Sequence, residues 1–160
     1  MINFAVVTVS DSSAAGKRID LSGPALIQEI NLNGWKLVFQ KTIPDNLKDI
    51  KTTLLSICES KKADVILTTG GTGFSTRDVT PEATLSVLEK QAPGIAEIMR
   101  AESYKLNPNA MLSRGVAGIC KNTLIINLPG SPKGALENFR IILPVLQHGI
   151  DLIKGNITQH

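Results

Sequence analysis

The chain has very little cysteine, with two residues of this type among 160. Two cysteines are too few for a disulfide framework or for a four-ligand zinc site, so both classes are excluded. We expect Cys58 and Cys120 to be small apolar core residues in a protein of the reducing cytoplasm.

Long apolar runs are absent as well. The apolar segments are far shorter than the roughly twenty residues that a membrane-spanning helix needs. The first nine residues include no basic segment ahead of an apolar one. We therefore expect no signal peptide and no membrane partner.

The net charge of the chain is small. Seventeen basic and fourteen acidic residues leave a formal net charge of +3, and the basic residues form no block. Trp35 and Tyr104 are isolated aromatic residues, which suggests packing and not base stacking. We expect no nucleic-acid partner.

Short β-branched segments alternate with longer amphipathic ones. Strands are predicted at residues 4–9, 35–43, 65–67, 116–120 and 123–127, the last two as a hairpin. Helices are predicted at residues 22–34, 47–57 and 135–154. Two more are predicted on either side of Pro93-Gly94: one begins at Thr80 and ends at this break, and the other follows it. Residues 10–21 have the composition of a loop. The Thr80-Pro81-Glu82 segment is typical of a helix start with a hydroxyl cap. The strand–helix alternation predicts one α/β domain at residues 1–160, with three layers, a mostly parallel sheet and helices on both faces.

Several predicted strands end in polar loops, at the edge where an open α/β sheet binds ligands. These loops begin at Ser10, at Pro44-Asp45, at Thr68 and at Asn127. In the loop at residues 68–78, three glycines would let backbone N–H groups approach an anion. Its spacing matches neither a Walker loop nor G-x-G-x-x-G, so a phosphate cradle and a plain tight turn both remain open.

Two carboxylates accompany that loop. If Asp45 and Asp78 converge beside a phosphate cradle, they form a site of the type that Mg²⁺ prefers. The alternative for Asp78 is an extra cap for the following helix, and for Asp45 a Pro-Asp-Asn turn.

The longer motifs resemble a known family. Residues 68–74, Thr-Thr-Gly-Gly-Thr-Gly-Phe, and residues 77–83, Arg-Asp-Val-Thr-Pro-Glu-Ala, are similar to the signature of the molybdopterin adenylyltransferases. That family includes bacterial MogA, the related MoaB proteins, and the G domain of gephyrin and its plant counterpart. The similarity continues at residues 9–11, 44–45, 111–114 and 124–131, in order along nearly the whole chain.

The resemblance implies transfer of AMP from Mg-ATP to the terminal phosphate of molybdopterin, with release of pyrophosphate. ATP and molybdopterin are then the substrates, and Mg²⁺ is the cofactor. It also implies a homotrimer, and hand-over of the activated product to a molybdenum insertase.

The resemblance also assigns site residues. Asp45 and Asp78 match the family's essential carboxylates, and we expect both to act through Mg²⁺ and not as proton acceptors. We expect Arg77 or Arg114 to offset phosphate charge, and Ser113 matches a position implicated in molybdopterin binding. The full set of matched substrate- and nucleotide-binding positions is Ser10, Asp11, Gly70, Gly71, Thr72, Gly73, Ser113, Arg114, Asn127, Pro129, Gly130 and Ser131.

Two other hypotheses stay open. One is a MoaB-type pterin-binding protein with little or no catalysis. Retention of both Asp45 and Asp78 favours the enzyme, because a pure binder needs no metal site. The other is a different nucleotide-handling enzyme on the same fold, such as a hydrolase, which would consume ATP without a pterin.

Overall fold

Within residues 1–156, six strands form one sheet at the centre of the fold. They are β1 (Asn3–Val9), β2 (Lys36–Ile43), β3 (Val65–Thr69), β4 (Lys90–Gln91), β5 (Ala117–Cys120) and β6 (Thr123–Leu128). The spatial order is β2-β1-β3-β6-β5-β4. Strands β2, β1, β3 and β6 are parallel, β5 is antiparallel to β6, and β4 is antiparallel to β5. The prediction of a mostly parallel sheet is confirmed.

The helices are α1 (Asp11–Ala14), α2 (Ser22–Leu32), α3 (Leu47–Ser60), α4 (Thr80–Leu85), α5 (Pro93–Tyr104) and α6 (Pro132–Ile153), and a 3-10 turn spans Pro108–Leu112. This computed structural model describes residues 1–156. Residues 157–160, the end of the predicted domain, lie outside the described residues. Within residues 1–156 no helix is long and apolar enough to cross a membrane.

Two apolar cores lie between the sheet and the helices, one on each face of the sheet. On one face, alternate strand residues such as Phe4 and Leu67 pack against α2, α5 and α6. On the other face, the strand residues between them, such as Val7 and Ile66, pack against α3 and α4. Because neighbouring strand residues point to opposite faces, strands buried on both faces are apolar throughout. The three-layer prediction is confirmed.

The predicted starts and ends of most elements agree with the structure. Helix α2 begins at Ser22 and ends before Asn33, and the hairpin turns at Lys121-Asn122 between β5 and β6. The buried face of α6 includes Phe139, Leu146 and Ile150. The helix continues through Pro144, which is exposed on its outer side.

Three local predictions are wrong. Residues 10–21 are not all loop, because Ser10 caps the one-turn helix α1 by accepting a hydrogen bond from Ser13 N. Thr80 does not cap α4; it is the first residue of that helix, and its hydroxyl donates to Gly70 O at 2.9 Å. Helix α4 ends at Leu85, well before Pro93, because the chain then turns back to pair β4 with β5.

Candidate active site

Four polar loops meet at the carboxyl ends of the parallel strands. The register pairs Val9 of β1 with Ile43 of β2, and Thr69 of β3 with both Thr8 of β1 and Leu128 of β6. These strands therefore end at one level. The chain leaves them at Ser10 and Pro44, as expected from the sequence, and at Gly70 and Pro129, two residues later than the predicted Thr68 and Asn127.

Asp11 and Asp45 are held together by a reciprocal pair of hydrogen bonds. Asp11 N donates to Asp45 Oδ2 at 2.8 Å, and Asp45 N donates to Asp11 Oδ1 at 3.0 Å. Arg77, in the loop that follows β3, donates two hydrogen bonds to the Asp11 carboxylate, one from Nε at 3.0 Å and one from Nη2 at 3.1 Å. The three loops are thus fixed to one another beside the end of β1. Asn46, not Asp45, caps α3.

Asp45 and Asp78 both lie against the glycine loop. A Cβ added to Gly71 would lie 3.0 Å from Asp45 Oδ1, and one added to Gly73 would lie 2.8 Å from Asp78 Oδ2. Asp78 Oδ2 also accepts a hydrogen bond from Ser75 N at 3.3 Å. Asp78 does not cap α4, since no side chain caps that helix. Glycine is required here for the close approach of backbone and carboxylate.

The two carboxylates share a cavity of about 370 Å³. Its wall includes seven of the predicted positions: Ser10, Asp45, Gly70, Gly71, Asp78, Gly130 and Ser131. Burial raises the pKa of Asp45, and the negative charges of Asp11 and Asp78 raise it further. The hydrogen bond from Asp11 N and the charge of Arg77 offset only part of this rise. The cavity therefore holds negative charge that a cation would neutralise.

A second cavity, of about 270 Å³, lies on the other side of the glycine loop. Thr72, Gly73 and Ser113 line it, with Pro129. Ser131 lines both cavities. The structure thus divides most of the predicted positions between two neighbouring spaces, which approach each other at Ser131, whereas Asp11, Arg114 and Asn127 line neither.

Arg114 lines neither cavity and instead holds the glycine loop. Its Nε donates to Gly73 O and its Nη2 to Asp78 O, each at 2.7 Å, while Nη1 contacts Glu82 Oε1. Burial raises the pKa of Glu82, but the hydrogen bond and charge of Arg114 lower it more, to a net value below the ordinary one. Arg114 N also donates to Thr72 O at 2.8 Å. The residue ties the Ser113 segment to the loop that contains Asp78.

Asn127 is also placed away from both cavities. It is 2% exposed, and its Nδ2 donates to Thr68 Oγ1 and Thr84 Oγ1, both at 2.9 Å. Its Oδ1 accepts from Val116 N at 3.2 Å. These bonds satisfy the carboxamide and position the strand end that leads into Pro129.

The residues of the first cavity that were missed from the sequence include Arg18, Asp20 and Ser22. Asp20 accepts from Ser22 N and Gly23 N through Oδ1, and from Thr8 Oγ1 through Oδ2 at 2.6 Å. Ser22 Oγ donates to Gly130 O at 2.6 Å. An Asp two residues before the predicted helix was an available capping signal.

The donor set of the first cavity fits Mg²⁺. This ion prefers oxygen ligands and is commonly bound by one or two carboxylates together with substrate phosphates. Asp45 and Asp78 offer such a pair, and the pKa of Asp45 is raised first by burial and then by the negative charges of Asp11 and Asp78, which a cation would offset. A metal centre built from protein ligands alone would need at least three His, Cys, Asp or Glu side chains grouped together. Residues 1–156 contain no such group that could hold a metal ion, so substrate phosphates would have to supply the other ligands.

Comparisons with known proteins find similar chains over nearly the whole length. The model of the family described as "Probable molybdopterin binding domain" matches residues 5–148. The molybdopterin adenylyltransferase of Helicobacter pylori is 40% identical over 161 residues, which cover 99% of this chain and 91% of that protein. Gephyrin of Dictyostelium discoideum is 41% identical over 161 residues, which cover 94% of this chain and 22% of gephyrin.

Solved structures are similar over the same length. The crystal structure of the molybdopterin biosynthesis enzyme MoaB from Thermus thermophilus matches with a TM-score of 0.92 and 42% sequence identity. The match covers 97% of this chain and 98% of that one.

Proposed function

We propose that this chain, which belongs to the molybdopterin binding domain family, is a molybdopterin adenylyltransferase of molybdenum cofactor biosynthesis. The reaction is transfer of AMP from Mg-ATP to the terminal phosphate of molybdopterin, with release of pyrophosphate. The observation that carries this proposal is the pair of cavities that flank the glycine loop and share Ser131. A transferase with two substrates needs two such spaces that meet where the reacting atoms lie.

The substrates are assigned by the side chains in each cavity. The first cavity contains both carboxylates and the cationic residue Arg18, so it takes the triphosphate of ATP. The second contains Ser113 and the outer side of the glycine loop, so it takes molybdopterin. The terminal phosphate of molybdopterin then lies near Ser131, with the α-phosphorus of ATP on the other side.

The nucleophile needs no general base. The second pKa of a phosphate monoester is about 6, so the molybdopterin phosphate is already largely dianionic at neutral pH. Its oxygen attacks the α-phosphorus, and the bond from that phosphorus to the bridging oxygen of pyrophosphate breaks. The protein must bring two polyanions together and keep them aligned.

The residues of the first cavity meet that requirement. Asp45 and Asp78 would hold Mg²⁺, which supplies positive charge to the triphosphate and to the leaving pyrophosphate. Backbone N–H groups of Gly71 and Gly73 are available as donors to phosphate oxygens. The guanidinium of Arg114 is already occupied by Gly73 O, Asp78 O and Glu82, so it acts by holding the loop.

The remaining parts of the proposal rest on family resemblance. We expect residues 1–160 to act as one domain, in a homotrimer, and to pass the adenylylated product to a molybdenum insertase. Both cysteines are free thiols, which is typical of the cytoplasm where we place the protein.

The test is pyrophosphate release by the purified protein with Mg-ATP, in the presence and absence of molybdopterin. The proposal predicts release only when both substrates are present. ATP consumption without molybdopterin would favour the hydrolase. Molybdopterin binding without pyrophosphate release would favour a MoaB-type binding protein.

A further inference from the structure

Two buried hydroxyl groups hold the carbonyls of the loop at residues 129–131. Thr69, at the end of β3, is 1% exposed, and its Oγ1 donates to Pro129 O at 2.6 Å. Ser22, the first residue of α2, is 5% exposed, and its Oγ donates to Gly130 O at 2.6 Å. The loop is thus bonded from beneath by two elements that are distant from it in the sequence.

Both carbonyls depend on these hydroxyls. Within residues 1–156, neither Pro129 O nor Gly130 O accepts a hydrogen bond from a backbone N–H. A serine in the first turn of a helix commonly bonds to its own backbone, whereas Ser22 donates to a loop residue 108 positions away. Loss of either hydroxyl would leave a carbonyl unpaired, and the peptide unit that contains it would lose its fixed orientation.

The two hydrogen bonds also set the direction of two amide groups. The peptide bonds of residues 1–156 are trans, and in a trans unit the C=O and the following N–H point in opposite directions. The carbonyls of Pro129 and Gly130 point to buried hydroxyls, so the N–H groups of Gly130 and Ser131 point to the exposed side of the loop. In the described part of the chain, neither N–H donates a hydrogen bond.

These N–H groups belong to residues at which the two cavities meet. Gly130 and Ser131 line the first cavity, and Ser131 also lines the second. Gly130 packs against the glycine loop, since a Cβ added to it would lie 3.2 Å from Gly70 Cα. During transfer, the molybdopterin phosphate oxygen bonds to the α-phosphorus while the bond to pyrophosphate breaks, and the non-bridging oxygens carry negative charge. N–H donors held in place beforehand stabilise such charge.

We propose that Ser22 and Thr69 are positioning residues for AMP transfer, which act through the carbonyls of Gly130 and Pro129 and not on a substrate. This inference rests on the proposed function. Each hydroxyl has a single proton, which is already donated to a carbonyl. The hydroxyls keep the N–H groups of Gly130 and Ser131 aligned at the junction of the cavities before the substrates bind.

Direct contact with the nucleotide is the competing explanation, because Ser22 and Thr69 also line the first cavity. A hydroxyl that binds ATP contributes to the affinity for ATP before any reaction. A hydroxyl that positions donors for the transition state affects kcat and leaves substrate affinity nearly unchanged. The two explanations therefore differ in the kinetic constant that changes.

The test compares Thr69→Val with Thr69→Ser. Valine has the shape of threonine without the hydroxyl, whereas serine keeps the hydroxyl and loses a methyl group. We expect Thr69→Val to lower kcat on the order of 10- to 100-fold, as for misaligned donors, while dissociation constants for Mg-ATP and molybdopterin stay within about twofold of wild type. Thr69→Ser should retain near wild-type kcat. Ser22→Ala should behave like Thr69→Val.

Thr123→Val is the matched control for loss of a buried threonine hydroxyl. Thr123 is 2% exposed, and its Oγ1 donates to Ala63 O at 2.9 Å, at the amino ends of β6 and β3. Denaturant unfolding should show similar losses of stability in Thr123→Val and Thr69→Val, because each leaves one carbonyl without its donor. The kcat of Thr123→Val should equal that of wild type. An equal fall in kcat in both variants would mean that stability alone is affected, which would overturn the inference.

The remaining outcomes separate this inference from the proposed function. Wild-type kcat in Thr69→Val would overturn the inference, and so would an equal loss of kcat in Thr69→Val and Thr69→Ser. Weaker affinity for Mg-ATP in Thr69→Val with unchanged kcat would show direct contact and would also overturn it. A wild-type protein that transfers no AMP would contradict the proposed function itself.

Discussion

Gly71 lies so close to the hydroxyl of Thr80 that a Cβ at position 71 would be 2.3 Å from Thr80 Oγ1. The same hydroxyl donates to Gly70 O, and Thr80 N donates to Gly71 O at 3.1 Å. The start of α4 is therefore bonded directly to the glycine loop. This contact explains why the loop keeps a fixed shape beside the two carboxylates.

Gly71→Ala should be strongly destabilising and should abolish transfer. Gly71 has φ +67, which already costs an alanine about 1 kcal/mol, and the contact with Thr80 adds roughly 1–3 kcal/mol. Gly34→Ala is the matched control, because Gly34 has φ +71 but open space around its Cβ position. Denaturant unfolding of both variants measures the difference. Equal losses of stability would contradict the close contact.

Asp45→Asn should stabilise the metal-free protein at neutral pH. A carboxyl with a raised folded-state pKa binds its proton more tightly when folded, so its contribution is most favourable below the unfolded pKa and is lost as pH rises through the folded value. In EDTA, the Tm of wild type should therefore fall relative to that of Asp45→Asn as the pH rises above about 4, the ordinary pKa of an aspartate. Asp49→Asn, at an exposed position on α3, controls for loss of one negative charge. A Tm difference that does not vary with pH would contradict this account.

Arg114→Lys should lower kcat with little change in net charge. One ammonium group cannot reach Gly73 O, Asp78 O and Glu82 at once, so the loop that carries Asp78 loses its fixed position. We expect a fall in kcat on the order of 100-fold, as for a misplaced catalytic group. Arg140→Lys, in the exposed pair between α6 and Glu29 of α2, should leave kcat unchanged. Wild-type kcat in Arg114→Lys would mean that charge alone is required.

Cys58 and Cys120 should resist alkylation in the folded protein. Burial raises the pKa of Cys58 to about 12, with a further contribution from the neighbouring Cys120 thiol. Both side chains are buried, at 1% and 2% exposure. Mass spectrometry after iodoacetamide treatment at neutral pH should detect no adduct before unfolding and two afterwards. Rapid labelling of the native protein would show that this core opens.

Much of the fold could be predicted because its signals are local. Helix α3 follows from apolar residues at 3–4 spacing, and α2 from Ser22-Gly23-Pro24 at its start and Asn33-Gly34 at its end. Strand β4 has two residues and exists only because it pairs with β5, so no periodicity could indicate it. Helix α4 was predicted to continue to Pro93 because no pattern in the sequence indicates that the chain leaves the helix after Leu85 to form β4.

The candidate site was predictable to the extent that strand ends define it. The rule that parallel strands end at one edge was enough to bring Asp45 towards the glycine loop. The role of Arg114 was not predictable, because its contact with Gly73 joins residues 41 positions apart.

The most direct measurement is single-turnover transfer from α-labelled ATP to molybdopterin with Mg²⁺, for wild type and for Asp78→Asn. We predict labelled molybdopterin and an equal amount of pyrophosphate from wild type. In Asp78→Asn the rate should be roughly 100- to 1,000-fold lower, with weaker affinity for Mg-ATP. Wild-type protein that binds molybdopterin but transfers no label would contradict the enzyme assignment. Loss of transfer in Asp78→Asn with unchanged affinity for Mg-ATP would contradict the metal-binding role of Asp78.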